Sequence, residues 1–166
     1  MNILFKIIDK VNDSFGNCIS YLNIVVVSIV CWEIIARYVF DAPTVWASES
    51  MVLLSGGMYV LAGGYAQLHK RHVKIDLVYS HLGPKKKAIC DMVSYIFFCV
   101  FMYALVIGGS TYAWESISLR ETTGTPWDPF IFPVKMAIPI GGALIWFQMT
   151  ADLIRNVRSA FMRREV

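Results

Sequence analysis

The chain has 166 residues, of which 57% are hydrophobic and only 16% charged, with a formal net charge of +3 and a mean hydropathy of +0.55. A soluble domain of this size carries roughly 25% charged residues to cover its surface, so the composition reads as an integral membrane protein and excludes a disordered or low-complexity chain. The small positive charge implies no nucleic-acid partner, because the basic residues sort by membrane side.

The first element expected is an amphipathic helix over about residues 2–13. Leu4, Ile7, Ile8, Val11 and Phe15 fall on one helical face and Lys6, Asp9, Lys10 and Asp13 on the other, which is the pattern of a helix lying in the headgroup layer. Four runs without Asp, Glu, Lys, Arg or His follow, bounded by Asp13 and Glu33, Glu49 and His69, Asp91 and Glu115, and Lys135 and Asp152. They predict membrane-spanning helices over about 14–38, 46–68, 88–114 and 133–154. The first run continues through Trp32, Glu33 and Arg37 with no small-residue cleavage site, which argues against a secretory signal peptide. The fourth is long enough if Pro133 occupies its first turn and Lys135 snorkels to the interface. Pro139 leaves the Lys135 carbonyl without its helical donor and predicts a kink. The expected fold is an all-α, single-domain membrane protein over 1–166.

Twelve of the 15 Lys and Arg lie before the first span, between the second and third, or after the fourth, and three lie in the other two loops. By the positive-inside rule both termini and the middle loop with Lys85 face the cytoplasm, and Asp41 and Glu121 face outward. The acidic residues divide evenly, so the outer side is net negative, with Glu33, Asp41, Glu49, Glu115, Glu121 and Asp128 set against Arg37, Arg120 and Lys135.

Chemistry-bearing residues are sparse within the spans. No Asp, Glu, Lys, Arg or His falls at mid-depth, where transport or catalysis inside a membrane usually leaves one. Cys18, Cys31, Cys90 and Cys99 show no C-x-x-C spacing and read as free thiols. His69, His72 and His81 all lie in the middle loop, so no facing pair is available to ligate haem. Beside Lys70, Arg71 and Lys74, His69 and His72 read as a positive segment meeting lipid phosphate rather than as a metal site. No cofactor, metal, catalytic or substrate-binding residue is expected, and the chain does not read as an enzyme. Glu33 and Arg37, four apart on one helix face, form either a local salt bridge or a contact with a partner subunit. Gly56, Gly57, Gly63 and Gly64 in the second span, Ala104 and Gly108 in the third, and Ala137 and Gly141 in the fourth permit close helix approach, within the bundle or against another membrane protein.

The pattern Glu33-x-x-x-Arg37-Tyr38-x-Phe40-x-x-Pro43-x-x-Trp46-x-x-Glu49, then Gly63-Gly64 and His72-Val73-x-Ile75-Asp76, resembles the small membrane subunit of tripartite ATP-independent periplasmic (TRAP) transporters. Thr125-Pro126-Trp127-x-Pro129, Pro133-Val134-Lys135, Ile138-Pro139-x-Gly141 and Gln148 resemble the same family. The resemblance implies a small subunit in the bacterial inner membrane that braces a large sodium-coupled elevator subunit, while a periplasmic binding protein delivers a small organic acid. It implies structural or subunit-contact roles for Arg37, Trp46 and Glu49 at the outer interface and for His72 and Asp76 at the inner one. Pro126, Trp127, Lys135, Pro139, Gly141 and Gln148 take such roles around the fourth span. Phospholipid is the further expected partner, and the acidic outer loops are expected to help dock the binding protein. Two other classes stay open: the membrane anchor of a redox enzyme, disfavoured by the missing histidine pairs, and a small four-helix exporter, disfavoured by the missing buried carboxylate.

Overall fold

A computed structural model describes residues 3–71 and 83–162. The elements are α1 (Ile3–Tyr38), α2 (Val45–Leu61), α3 (Gly63–Leu68), α4 (Pro84–Ser118) and α5 (Phe132–Met162). Among the described residues four stretches are long and apolar enough to cross a membrane: Ile3–Tyr38, Val45–Leu68, Ile89–Ser118 and Phe132–Ser159. The second combines α2 and α3. Pro84 sits in the first turn of α4, where its missing N–H costs nothing.

Two helices end on basic residues in the left-handed conformation, Lys70 at φ 52° and Arg120 at φ 49°. At each, paired backbone bonds close the turn: Lys70 N–H to Gln67 O and Arg71 N–H to Ala66 O, then Arg120 N–H to Ile117 O and Glu121 N–H to Ser116 O. A glycine usually fills this position, and a lysine or arginine there sets a positive charge at the negative end of the helix dipole.

The antiparallel helices share two ends. The hairpin end carries the short connections 39–44 and 119–131, and the terminal end carries the start of α1, the end of α3 and the end of α5. Among the described helices α5 packs against all the others, whereas α4 rests mainly on α5. Only 17%, 6%, 11% and 28% of the most apolar windows of the four spans are buried within the chain. Most of their surface therefore faces lipid or another protein.

In three places the structure departs from the sequence expectation. First, α1 is one unbroken helix, with no separate element over 2–13. Asp9 and Asn12 turn toward the protein, Lys6 and Lys10 stay exposed, and Ile3, Leu4 and Ile7 are 78%, 62% and 53% exposed. Second, the expected span over 46–68 is two consecutive helices that meet at Ala62, itself still in helical conformation, and α5 is one helix with Pro139 inside it. The junction lies beside a close crossing: a methyl group on Gly141 would lie 2.5 Å from the Val60 carbonyl oxygen. Third, Lys135 does not snorkel. It is only 8% exposed, because a loop carboxylate and a ring within the protein supply the partners that the headgroup layer was expected to supply.

Candidate functional site

At the hairpin end three tethers hold the loops. Glu33 is 4% exposed. One of its oxygens accepts from Arg37 Nε at 3.2 Å and Nη2 at 2.5 Å, and the other from the Thr44 amide at 3.1 Å and the Thr44 hydroxyl. Thr44 is the residue before α2, so Glu33 satisfies one of the orphan donors at the start of that helix. The expected Glu33–Arg37 pair is thus present, and Glu33 does more: it closes the turn between the first two spans.

The second tether joins Lys135 to Glu121, with the Lys135 ammonium 3.9 Å from the centre of the Tyr112 ring. The Lys135 hydrogen bond holds the Glu121 carboxyl below the usual carboxylate range. In the third, Glu49 accepts from the Thr123 hydroxyl at 3.2 Å, and Thr123 in turn contacts Thr125 at 2.9 Å. The loop behind these tethers is itself folded, by the Thr122–Phe130 bridge and by a bond of 2.9 Å from the Gly124 amide to Asp128. Trp46 and Trp127 stand 39% and 45% exposed beside these tethers, and Pro126 is exposed.

The terminal end holds a network that the sequence reading did not find. Gln148, fully buried, accepts from Asn12 Nδ2 at 2.9 Å and donates to Asp9 at 3.1 Å and Asp152 at 3.5 Å. Arg155 donates to Asp9 at 2.7 Å and to Asp152 at 3.3 Å, and Gln67 reaches Asp152 at 3.1 Å. Asp13 meets His69 at 3.4 Å. Of these residues only Gln148 carries a structural or subunit-contact expectation from the sequence, whereas Asp9, Asp13 and His69 are expected to meet the headgroup layer. The available signal was the stripe Asp9, Asn12, Asp13, Gly16 on α1, which marks a polar helix face without saying whether water or another helix covers it.

Between the two ends the glycines face inward. Side chains built on Gly16, Gly63 and Gly64 would collide with the Tyr65 ring, with Ile145, and with Asn12 Oδ1 and Leu144 respectively. Gly56 and Gly57 face Val134 and Ala137 of α5 at ordinary contact distance. Gly109 lies against Ile138 and Pro139, so this proline packs at the α4–α5 seam. Gly108, by contrast, has nothing within 4 Å, and Ala104 is exposed on the same helix. The small residues of the second and fourth spans are therefore spent on internal packing, and the pair in the third is not. His72 and Asp76 lie outside the described residues. Among the described residues there is no group of three or more metal-ligating side chains.

A family model described as "Tripartite ATP-independent periplasmic transporters, DctQ component" matches residues 26–159. The chain belongs to this family. It is a TRAP transporter small subunit, a multi-pass membrane protein and a transporter component rather than an enzyme. In TRAP systems the DctQ component works with the large DctM subunit and a periplasmic binding protein. No curated protein matches the chain. The matched region of this TRAP small subunit contains the hairpin-end tethers, Gln148 and Asp152, but begins after Asp9 and Asn12. The α1 half of the terminal network is thus a property of this chain's fold that the family match does not cover.

Proposed function

We propose that this TRAP small subunit braces, and does not itself couple, a sodium-driven uptake system of the bacterial inner membrane. The large subunit would hold sodium and substrate, a small organic acid handed over by the binding protein. One observation carries this reading. Among the described residues, every Asp, Glu, Lys, Arg and His of the spans lies toward one end or the other, and many are engaged in tethers there, so the middle of the bundle offers no charged group to replace an ion's hydration shell. A scaffold needs that arrangement, and an ion-coupling subunit needs the opposite one. The terminal end lies in the cytoplasm in this reading, from the distribution of Lys and Arg. Tethered loops at the hairpin end, with Trp46 and Trp127 exposed, form the periplasmic surface that the binding protein approaches. The inward-facing glycines stiffen the subunit, and the contact to the large subunit falls on the outward faces of its spans, with phospholipid covering what remains.

Proteoliposomes holding the large subunit, this chain and the binding protein test the reading. Uptake of an organic acid is expected only under an inward sodium gradient, with none from vesicles holding this chain alone. Sodium-independent uptake, or sodium-dependent heats with the isolated chain in calorimetry, would overturn it. Reporter fusions are expected to place both termini and Lys85 in the cytoplasm and Asp41 and Glu121 outside. A periplasmic C-terminus would reverse the orientation.

A further inference from the structure

At the terminal end of α1, Asp9 and Asn12 turn toward the subunit. Asp9 is engaged by Arg155 and Gln148, Asn12 by Gln148, and Asp13 by His69. Asp9 is thereby engaged within the subunit, and Asp13, half exposed, pairs with His69 at its surface. Lys6 and Lys10 stay exposed and have no ion-pair partner among the described residues. Beside them Ile7, Lys10, Val11, Ser14 and Phe15 line an open, largely apolar groove of about 260 Å³. Ile7, Val11 and Phe15 are 53%, 40% and 38% exposed. A surface pairing uncompensated positive charge with apolar side chains along one line is complementary to a molecule with an anionic head and a hydrocarbon tail.

Depth supports the same occupant. Polar tethers fix α1 at Asp13, against His69, and at Glu33, against Thr44. The interval between them is about 20 residues, or about 30 Å of helix, which is the thickness of a hydrocarbon core. With those tethers at the two boundaries, Ser14 and Phe15 lie at the hydrocarbon edge. Lys10 stands about 5 Å and Lys6 about 10 Å further along the axis, at the level of the headgroups.

From this juxtaposition we infer that the α1 face bearing Lys6, Ile7, Lys10, Val11 and Phe15 is a binding site for an anionic phospholipid. Its phosphate sits on the two ammonium groups and an acyl chain runs along Val11 toward Phe15. The inference rests on the cytoplasmic placement of the terminal end proposed above, which assigns the lipid to the inner leaflet. It gives the two lysines a role separate from topology: they select a lipid instead of only retaining the terminus.

The test uses the complex of this chain with its large subunit, studied by native mass spectrometry with equal amounts of phosphatidylglycerol and phosphatidylcholine. The native complex is expected to retain phosphatidylglycerol in preference. Lys6→Gln/Lys10→Gln is expected to lower that preference by about tenfold or more, since one lysine near an anionic surface is worth about fivefold in binding. Lys6→Arg/Lys10→Arg is expected to keep it. Equal retention of the two lipids by the native complex, or an unchanged preference in the Gln variant, would overturn the site. A photoreactive residue at Val11 separates the possible occupants: labelling of lipid in intact membranes supports the proposal, and labelling of the large subunit refutes it. Recovery of the large subunit in the same preparations reads the underlying assignment separately. A complex that forms normally without lipid preference removes the lipid site and leaves the transporter subunit standing.

Discussion

The two ends of this subunit are held by the same kinds of bond, organised in opposite ways. At the hairpin end the partners are mostly close in sequence: Glu33 and Arg37 are 4 residues apart, Glu33 and Thr44 are 11, and Lys135 and Glu121 are 14. At the terminal end Gln67 and Asp152 are 85 apart, Asn12 and Gln148 are 136, and Asp9 and Arg155 are 146. Short-range bonds shape individual turns and can form or break without consequence for the rest of the chain. Long-range bonds join the first helix to the last, so losing one is felt by the whole bundle. The comparison teaches that location in the fold, more than bond strength, decides what a polar contact does here.

The largest expected effect comes from the close crossing that positions the terminal network. Gly64→Leu drives a side chain into Asn12 Oδ1 and Leu144, and overpacking of this kind costs about 1–3 kcal/mol or more. Loss of monodisperse subunit, or a markedly lower melting temperature in detergent, is expected. Gly108→Leu, with open space around it, should leave both unchanged, and equal damage from the two would break the distinction between inward and outward glycines. Next in size, Asn12→Leu and Gln148→Leu should each lower global stability by about 1–2 kcal/mol, the range for hydrogen bonds between helices in membranes. The double variant should cost less than the sum of the two, and strict additivity would show that the bond does not couple α1 to α5.

At the hairpin end Glu33→Gln keeps an acceptor for Thr44 and removes the charge that faces Arg37. With Arg37 half exposed, only a small global loss is expected. The readout that sharpens the contrast is local: faster hydrogen exchange at the Thr44 amide with a nearly unchanged melting temperature. A global loss as large as that of Asn12→Leu would erase the difference between the ends.

The smallest effect is electrostatic. Because Lys135 holds the Glu121 carboxyl below its usual range, the pairing adds stability above the ordinary carboxylate pKa and loses it as the pH falls through the lowered value. The Glu121 carboxyl resonance should titrate at lower pH than an unpaired glutamate. Lys135→Met should bring its midpoint back up, and no movement would deny the pairing any influence on the loop.

The contrast between the ends also governs what could be read from the sequence. The four spans were legible because long uncharged runs have one solution in a bilayer. The Glu33–Arg37 pair was legible because its i, i+4 spacing is local. The α1 face with Lys6, Asp9, Lys10 and Asp13 reads from the sequence as meeting the headgroup layer, since helical periodicity reports which residues share a face and carries nothing about what covers it. Lys135 was expected to reach the interface for a related reason: Glu121 and Tyr112, which hold it, are brought to it only by the fold. Glycine spacing flagged close approach in the second, third and fourth spans alike, yet only the first and last of these use it internally.

The position of α5 has a consequence for how the subunit is made. Spans leave the ribosome in chain order, and α5 is the last of them. Until it arrives, Asp9 and Asn12 lack Gln148 and Arg155, and α4 lacks the helix on which it mainly rests. The first two spans pack on each other without it, and α5 adds the polar bonds at their terminal end and the support for α4. A chain cut before Gln148 would keep the first two spans packed but leave Asp9 and Asn12 open at their terminal end.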